Sequence, residues 1–476
     1  MTVQRINASI LASFPKTDEE SVLQEMMKEV RKNNKKIVVL DDDPTGVQTV
    51  HDIYVYTHWD TETMKKAFLA KENLFYILTN SRGLTVSETT AVHKEIAHNL
   101  CEVSKQTDKE FIVISRSDST LRGHYPLETE LLKETIEKET SVVYDGEILF
   151  PFFKEGGRFT IGNVHYVQYG DELVPAGETE FAKDATFGYS SSNMCEYIEE
   201  KTKGKYKATD VTCISLDDLR KCDYAKIESQ LENVHGFNKV IVNAIDATDV
   251  RVFVTALYRA VAKGKNFLFR TAAAFVKELG GISDQPLLTK EKLITRETNT
   301  GGLIVVGSHT AKTTAQLNEL KKLPGIVTEE LNSDLVLYPE QLQKEVERVI
   351  EKIEKTILEG KNIVVYTKRK VMSLENDTKE EALKRSVTIS HSVQSLVANL
   401  NVTPSFIVAK GGITSSEIGT MALQVKYALV LGQIMPGIPV WQLSSEAKFP
   451  GIPYVIFPGN VGDADTLLKT VKVFTE

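Results

Sequence analysis

Residues 111 to 139, FIVISRSDSTLRGHYPLETELLKETIEKE, hold the densest chemistry in the chain. An apolar run ends in Arg116, Ser117, Asp118, Ser119 and Arg122, and Gly123 and Pro126 punctuate the stretch before an amphipathic segment. The pattern predicts a β-strand, a loop and a helix. Guanidinium forks pair bidentately with carboxylates and phosphates, so such a loop suits a small anionic ligand whose hydroxyls Asp118 would handle. A turn whose Arg and Asp pair with each other accounts for the same residues.

Two further apolar runs end in similar groups. KKIVVLDDDPTG places Asp41, Asp42 and Asp43 after a strand, and NLFYILTNSRG places Ser81 and Arg82 after another. Crowded carboxylates repel unless a cation or a ligand hydroxyl separates them. KVIVNAI from residue 239 and NFLFRTAAAF, with Arg270 and Thr271 at its end, continue the alternation of strand and helix. That alternation predicts βαβ units and a largely parallel sheet, in which ligands gather at the carboxyl ends of the strands. Residues 147 to 189 are aromatic and Gly-rich without helical period, which predicts a β-rich excursion. Lys154, Arg158 and His165 within it are candidates for substrate contact, although an ordinary loop with satisfied polar groups also explains them, as it does Thr179, Glu180 and Asp184.

The Gly- and Thr-containing run from 279 to 302 reads as a domain boundary. Beyond it, GGLIVVGSHTAKTTAQLNELKKLPG reads as strand, loop and helix, with Thr313 and Gln316 in a capping-box spacing and Ser308 at an anion-favouring helix start. KNIVVYTKRK is a strand ending in Thr367, Lys368 and Arg369. SFIVAKGGITSSEI is a strand followed by Lys410, Gly411, Gly412 and Ile413, with Ser415 or Ser416 as a helix cap. Adjacent glycines let a backbone approach a ligand, and the lysine supplies charge for phosphates. Gly459, Asn460 and Gly462 repeat the theme before a last helix. No GK[ST] follows a spaced glycine, so this is not a P-loop.

The 476 residues carry 57 Lys and Arg against 65 Asp and Glu, a net charge of −8, which argues against nucleic acid as the main partner. Four cysteines, widely spaced and without a CxxC pair, indicate neither a zinc ribbon nor a disulfide framework. The first 35 residues lack the apolar core of a signal peptide and no run suits a membrane span, so a soluble cytoplasmic protein without a membrane partner is expected.

Taken together, DDPTG at 42 to 46, SR at 81 to 82, RSDSTLRG at 116 to 123, GSHTAKTTAQL at 307 to 317, KGGITSSEI at 410 to 418, PGIPVW and FPGNVGD resemble, in unbroken order, the four-carbon acid sugar kinases. The resemblance implies two α/β domains, each on a largely parallel sheet flanked by helices: an acid-sugar-binding domain over 36–285 and a nucleotide-binding domain over 300–476, after a helical extension over 1–35. It implies ATP-dependent phosphorylation of a hydroxyl on threonate, erythronate, 3-oxo-tetronate or a related acid. Asp42, Asp43, Arg82, Arg116, Ser117, Asp118, Ser119 and Arg122 would bind the sugar, with Asp42 or Asp118 catalytic and Arg82 and Arg116 holding its carboxylate. Ser308, Lys410, Gly411, Gly412, Ile413 and Gly459 would bind ATP, with Mg²⁺ on its phosphates through ligands that no motif identifies. A branched acid sugar as substrate, a non-catalytic sensor and a homodimer stay open. Asp41, Pro44, Arg116 and the 147–189 segment depart from the family's usual pattern, all on the sugar side.

Overall fold

The computed structural model describes residues 3–296, 298–370, 377–459 and 461–476. The chain forms two compact units, Met1–Gly46 with His58–Asp284, and Val47–Thr57 with Gln285–Glu476.

The first unit is built on seven parallel strands in the order Thr212–Ile214, Asn238–Val242, Gly146–Phe150, Phe267–Thr271, Phe111–Arg116, Lys36–Asp41 and Leu74–Leu78. Four of them are buried along their whole length, as continuous apolar runs such as FYIL and FLF require when helices cover both faces of a sheet. The register aligns their ends: Asp41 stands beside Leu78 and Arg116, and Thr271 beside Arg116 and Phe150. Polar residues that follow each strand therefore meet at one edge.

A second, four-stranded antiparallel sheet runs Ile6–Asn7, Glu172–Pro175, Val164–Tyr169, Arg158–Ile161. It is the β-rich excursion, with two differences from the sequence expectation. Residues 146 to 150 belong to the central parallel sheet, so the excursion begins only beyond them. Its far edge is supplied by Ile6–Asn7, so the N-terminal extension is a strand as well as a helix. That helix, Glu19–Val30, lies on Ala247–Ala262, where Arg259 pairs with Glu25 and Glu29.

The second unit orders its strands Ile53–Tyr56, Tyr427–Met435, Ile438–Leu443, Pro453–Phe457, Ile407–Lys410, Leu303–Val306, Ile363–Thr367 and Val327–Leu331. The first four pair antiparallel and the rest parallel. Val306, Lys410 and Phe457 lie side by side, which brings the loops after three strands together. Ile304, Val306, Val408, Val455 and Phe457 form its core with Leu317, Leu467 and Val471 from the Ala311–Leu320 and Thr466–Thr475 helices. Among the described residues no helix is long and apolar enough to cross a membrane.

Candidate functional site

In the first unit the three expected strand ends come together. Thr79 donates its N–H (2.9 Å) and hydroxyl (2.8 Å) to the Asp41 carbonyl, and Asn80 takes a left-handed turn (φ 54°) that starts a short 3₁₀ helix carrying Arg82. The Arg82 guanidinium then donates to both oxygens of Asp42 (3.0 and 2.6 Å) and to Asp43 (2.9 Å). Arg116 donates to Asp41 (2.9 Å) and Asp42 (3.3 Å). Gly46 is required beside this knot, because a Cβ there would stand 2.1 Å from the Asp41 carboxylate oxygens.

The knot sets three carboxylates against two guanidiniums, and burial together with these charges sets its proton affinities. Burial, opposed by Arg116 and aided by Asp42, pushes the Asp41 carboxyl up to about 8. Burial also raises Asp42 against the pull of Arg82 and Arg116. At Asp43 burial acts upward too, but Arg82, Arg116 and the bonds from Thr45 outweigh it and hold the group below its ordinary value.

Asp118 differs. Its Oδ2 accepts from Arg122 Nε (2.6 Å) and the Thr120 hydroxyl, while Oδ1 accepts no hydrogen bond among the described residues. Burial is outweighed by Arg82, Arg122 and Thr120, which keep it ionised far below the usual carboxylate range. Its loop is held by non-local bonds: the Tyr189 hydroxyl donates to Thr120 O (2.7 Å), Tyr197 to Leu121 O (2.9 Å), and His165 Nε2 pairs with Ser119 O (2.8 Å). Leu121 sits at φ 69°, a strained position for a branched side chain that such bonds must sustain. Arg270 donates to the Ser117 hydroxyl (2.7 Å) and to Arg122 O (3.0 Å), which fixes both ends of the loop. A small cavity adjoins Asp118, lined by Ser117, Met194, Tyr197, Arg270 and Thr271.

Two expectations change here. Arg82 and Arg116 do not stand as an open carboxylate clamp: all three Arg82 nitrogens donate to Asp42 and Asp43, and Arg116 reaches Asp41 and Asp42 through Nη1, its buried Nε finding no acceptor among the described residues. Of the excursion residues, Lys154 pairs with Asp246 (2.6 Å), and His165 is buried, its imidazole lowered by burial to about 4 and bonded on both nitrogens. Arg158 alone of the three keeps an unengaged head group near Asp118. Arg270 and Glu128 are structural members of the site that sequence spacing did not single out for that role. Glu128 accepts from Ser81 (2.6 Å) and lies 3.5 Å from Arg270.

In the second unit Lys410 is fully buried, and its ammonium donates to the carbonyls of Pro458 (2.5 Å) and Gly459 (3.1 Å) above the Phe457 ring. Among the described residues it has no carboxylate partner, and burial together with Lys312 lowers it to about 7. Gly411 has φ +124° and a Cβ there would stand 3.2 Å from the Ser308 side chain, while Gly412 and Gly459 face open space. Arg369 donates to Ser308 O (2.8 Å). Ile413 is 72% exposed beside the glycine pair.

The helix starts differ from the sequence expectation. Thr310, not Thr313, caps Ala311–Leu320, and Gln316 is no capping-box partner: it donates to the carbonyls of Val461 (3.0 Å) and Asp463 (2.9 Å) and so pins Val461 to Asp463. The helix after Lys410 begins at Gly412 with Gly411 as its cap, so Ser415 and Ser416 lie inside it. Asn460 lies outside the described residues. Also among these, no group of three His, Cys, Asp or Glu side chains stands ready to hold a metal ion.

A charged pocket edge on one α/β unit and a glycine-lined lysine on another define a two-domain ligand-binding protein. Residues 37–279 match the sugar-binding N-terminal domain model and residues 303–467 the nucleotide-binding C-terminal domain model. The chain thus belongs to the four-carbon acid sugar kinase family, whose architecture these two domains make up. Among solved structures it is similar to a Haemophilus influenzae protein of the DUF1537 family (TM-score 0.60, 18% identity, 92% of this chain and 100% of that one). It is also similar to a Salmonella typhimurium LT2 protein whose name proposes a tRNA synthase (TM-score 0.67, 14% identity, 91% and 98%). At these identities the likeness concerns the fold. No curated protein matches the chain significantly.

Proposed function

We propose that this protein is an ATP-dependent kinase that phosphorylates a hydroxyl of a small acid sugar, a four-carbon aldonate or 3-oxo-aldonate. The observation that carries this reading is the coexistence in one chain of two complementary sites. The sugar-binding domain presents Asp118, an ionised carboxylate whose Oδ1 accepts no hydrogen bond among the described residues, and the nucleotide-binding domain presents Lys410, a buried lysine beside glycines with no carboxylate partner among the described residues.

Phosphoryl transfer has little covalent chemistry for a protein to perform; positioning and charge neutralisation do most of it. Asp118 Oδ1 accepts the hydrogen of the attacking hydroxyl and aims its oxygen. Asp42 and Asp43 have their oxygens committed to Arg82, Arg116 and Thr45, so they hold the scaffold that keeps Asp118 ionised, and the Ser117 and Ser119 loop supplies further polar contacts. In the other domain the Gly411, Gly412 and Gly459 backbones admit the phosphates, Lys410 and Ser308 bind them, and Ile413 offers an apolar surface to the base. Magnesium carried on the ATP phosphates supplies charge neutralisation, in keeping with its habit of taking few protein ligands.

The test is an ADP-release assay with Mg·ATP against threonate, erythronate, their 3-oxo forms and branched analogues. Turnover that depends on one of these acids supports the kinase and names the substrate. ATP binding without turnover on any of them refutes the reading in favour of a sensor.

A further inference from the structure

Phe181 carries two guanidiniums, Arg122 at 5.1 Å and Arg158 at 5.7 Å from the ring centroid. Arg122 has a partner, since its Nε donates to Asp118. Arg158 has none: its side chain makes no hydrogen bond and no ion pair among the described residues, and its Nε is buried without an acceptor. Its backbone is fixed all the same. The Arg158 N–H and C=O both pair with Phe153 (2.8 and 3.1 Å), and its strand is held in register by Val164–Tyr169. A guanidinium presents five donors in a rigid fork; here Nε is buried without an acceptor beside another cation, and an anion bound across the fork would supply one. Burial and the neighbouring Arg122 both disfavour its charge, while Asp118 is the main group that favours it. The five site arginines divide accordingly: Arg82 and Arg116 bond to Asp41–Asp43, Arg270 to Ser117 and Glu128, Arg122 to Asp118 with Asp184 at 3.8 Å, and Arg158 packs on Phe181 with no polar or charged partner among the described residues.

We propose that Arg158, held over Phe181 by the four-stranded sheet, is the specificity-determining residue that binds the carboxylate of the acid substrate, with Arg122 beside it. The carboxylate closes the fork and turns the protein toward aldonates over neutral polyols of the same length. The carbon chain then lies next to Asp118, the residue assigned to the attacking hydroxyl. The inference rests on the proposed function only for the anion's identity as a sugar carboxylate.

The test compares wild type, Arg158→Gln and Arg158→Lys by calorimetry without ATP and by kinetics with it, using the four-carbon aldonates, the matching neutral tetritols and inorganic phosphate as probes. Arg158→Gln is expected to weaken aldonate binding, and to raise its KM, by about 10- to 100-fold, the range for losing a charged hydrogen-bonded partner. Its KM for ATP and its melting temperature should stay at wild-type values, and its preference for aldonate over tetritol should collapse, with Arg158→Lys intermediate. Wild-type aldonate affinity in Arg158→Gln overturns the proposal, as does loss of phosphate binding with aldonate binding intact, or failure of the wild type to bind any aldonate. Aldonate binding that depends on Arg158 without turnover upholds it while refuting the kinase reading, so the two fail separately.

Discussion

Lys410 offers a prediction that activity alone would not reveal. Its ammonium is 0% exposed, has two carbonyls and a ring for company, and is lowered from 10.5 to about 7 by burial and by Lys312. A nucleotide phosphate set beside it restores the counter-charge that burial removed, and its pKa climbs back toward the ordinary lysine range. At pH 8 a group with pKa about 7 is roughly nine-tenths neutral, so binding ATP must take up about 0.9 proton. At pH 6 the group is already charged and its uptake falls to roughly 0.1 proton. Affinity should weaken by up to about tenfold for each pH unit above 7 until the bound form also titrates. The assay is calorimetry of ATP binding at pH 8 in two buffers of different ionisation enthalpy, with Lys410→Met as the reference that subtracts the nucleotide's own protons. The same shift acts on the ligand-free fold. A depressed folded pKa means the unfolded chain binds more protons between about 7 and 10.4, so stability is highest above about 10.4, falls as the pH drops across that window, and levels off below about 7. Identical heats in both buffers, or equal proton uptake in Lys410→Met, would refute a neutral buried lysine as the nucleotide's partner.

Other consequences can be checked singly. Asp118→Asn should lower kcat by about 100-fold or more, the usual loss for a missing general base, with the KM for ATP within about twofold; normal turnover removes Asp118 from that role. Gly46→Ala forces a Cβ to within 2.1 Å of the Asp41 carboxylate, so it should cost about 1–3 kcal/mol or more in urea unfolding and abolish aldonate binding while ATP binding survives; an unchanged unfolding midpoint would contradict the packing of the aspartate knot. Cys195 and Cys213 are both reduced, with their sulfurs 3.4 Å apart, so diamide should join this pair by removing two hydrogens and leave Cys101 and Cys222 free. Peptide mapping that finds any other pair, or none, would contradict that geometry.

Much of the sugar side was legible in the sequence because its residues follow apolar strands directly. Once KIVVLD, LFYIL and FIVISR are parallel neighbours, Asp42, Arg82 and Arg116 must share an edge, whatever the loops do. The pairing within that edge was not legible, since periodicity says nothing about which donor a guanidinium reaches first; hence the clamp assigned to Arg82 and Arg116 gave way to their pairing with Asp41–Asp43. Arg158 and Phe181 come from an aromatic stretch without helical period, and only the folded structure sets Arg158 and Arg122 over the one Phe181 ring. Glu128 was hidden in a helix whose charges look solvated, yet it is 1% exposed and bonded to Ser81. On the nucleotide side the glycine loops were visible as Gly-bearing strand ends. Gln316 looked like half of a capping box because capping and loop-pinning use the same residue type. The crossing of Val47–Thr57 into the second unit left no compositional mark, as its strand of four residues reads like any other short β run.

The most direct test of the account is the fate of the terminal phosphate. With Mg·ATP and the aldonate that binds best, ³¹P NMR should show a phosphomonoester of that acid appearing in step with ADP, one for one, and neither product forming when the acid is withheld. ADP and inorganic phosphate in place of a sugar ester, or no ADP in the presence of a bound aldonate, would contradict a kinase.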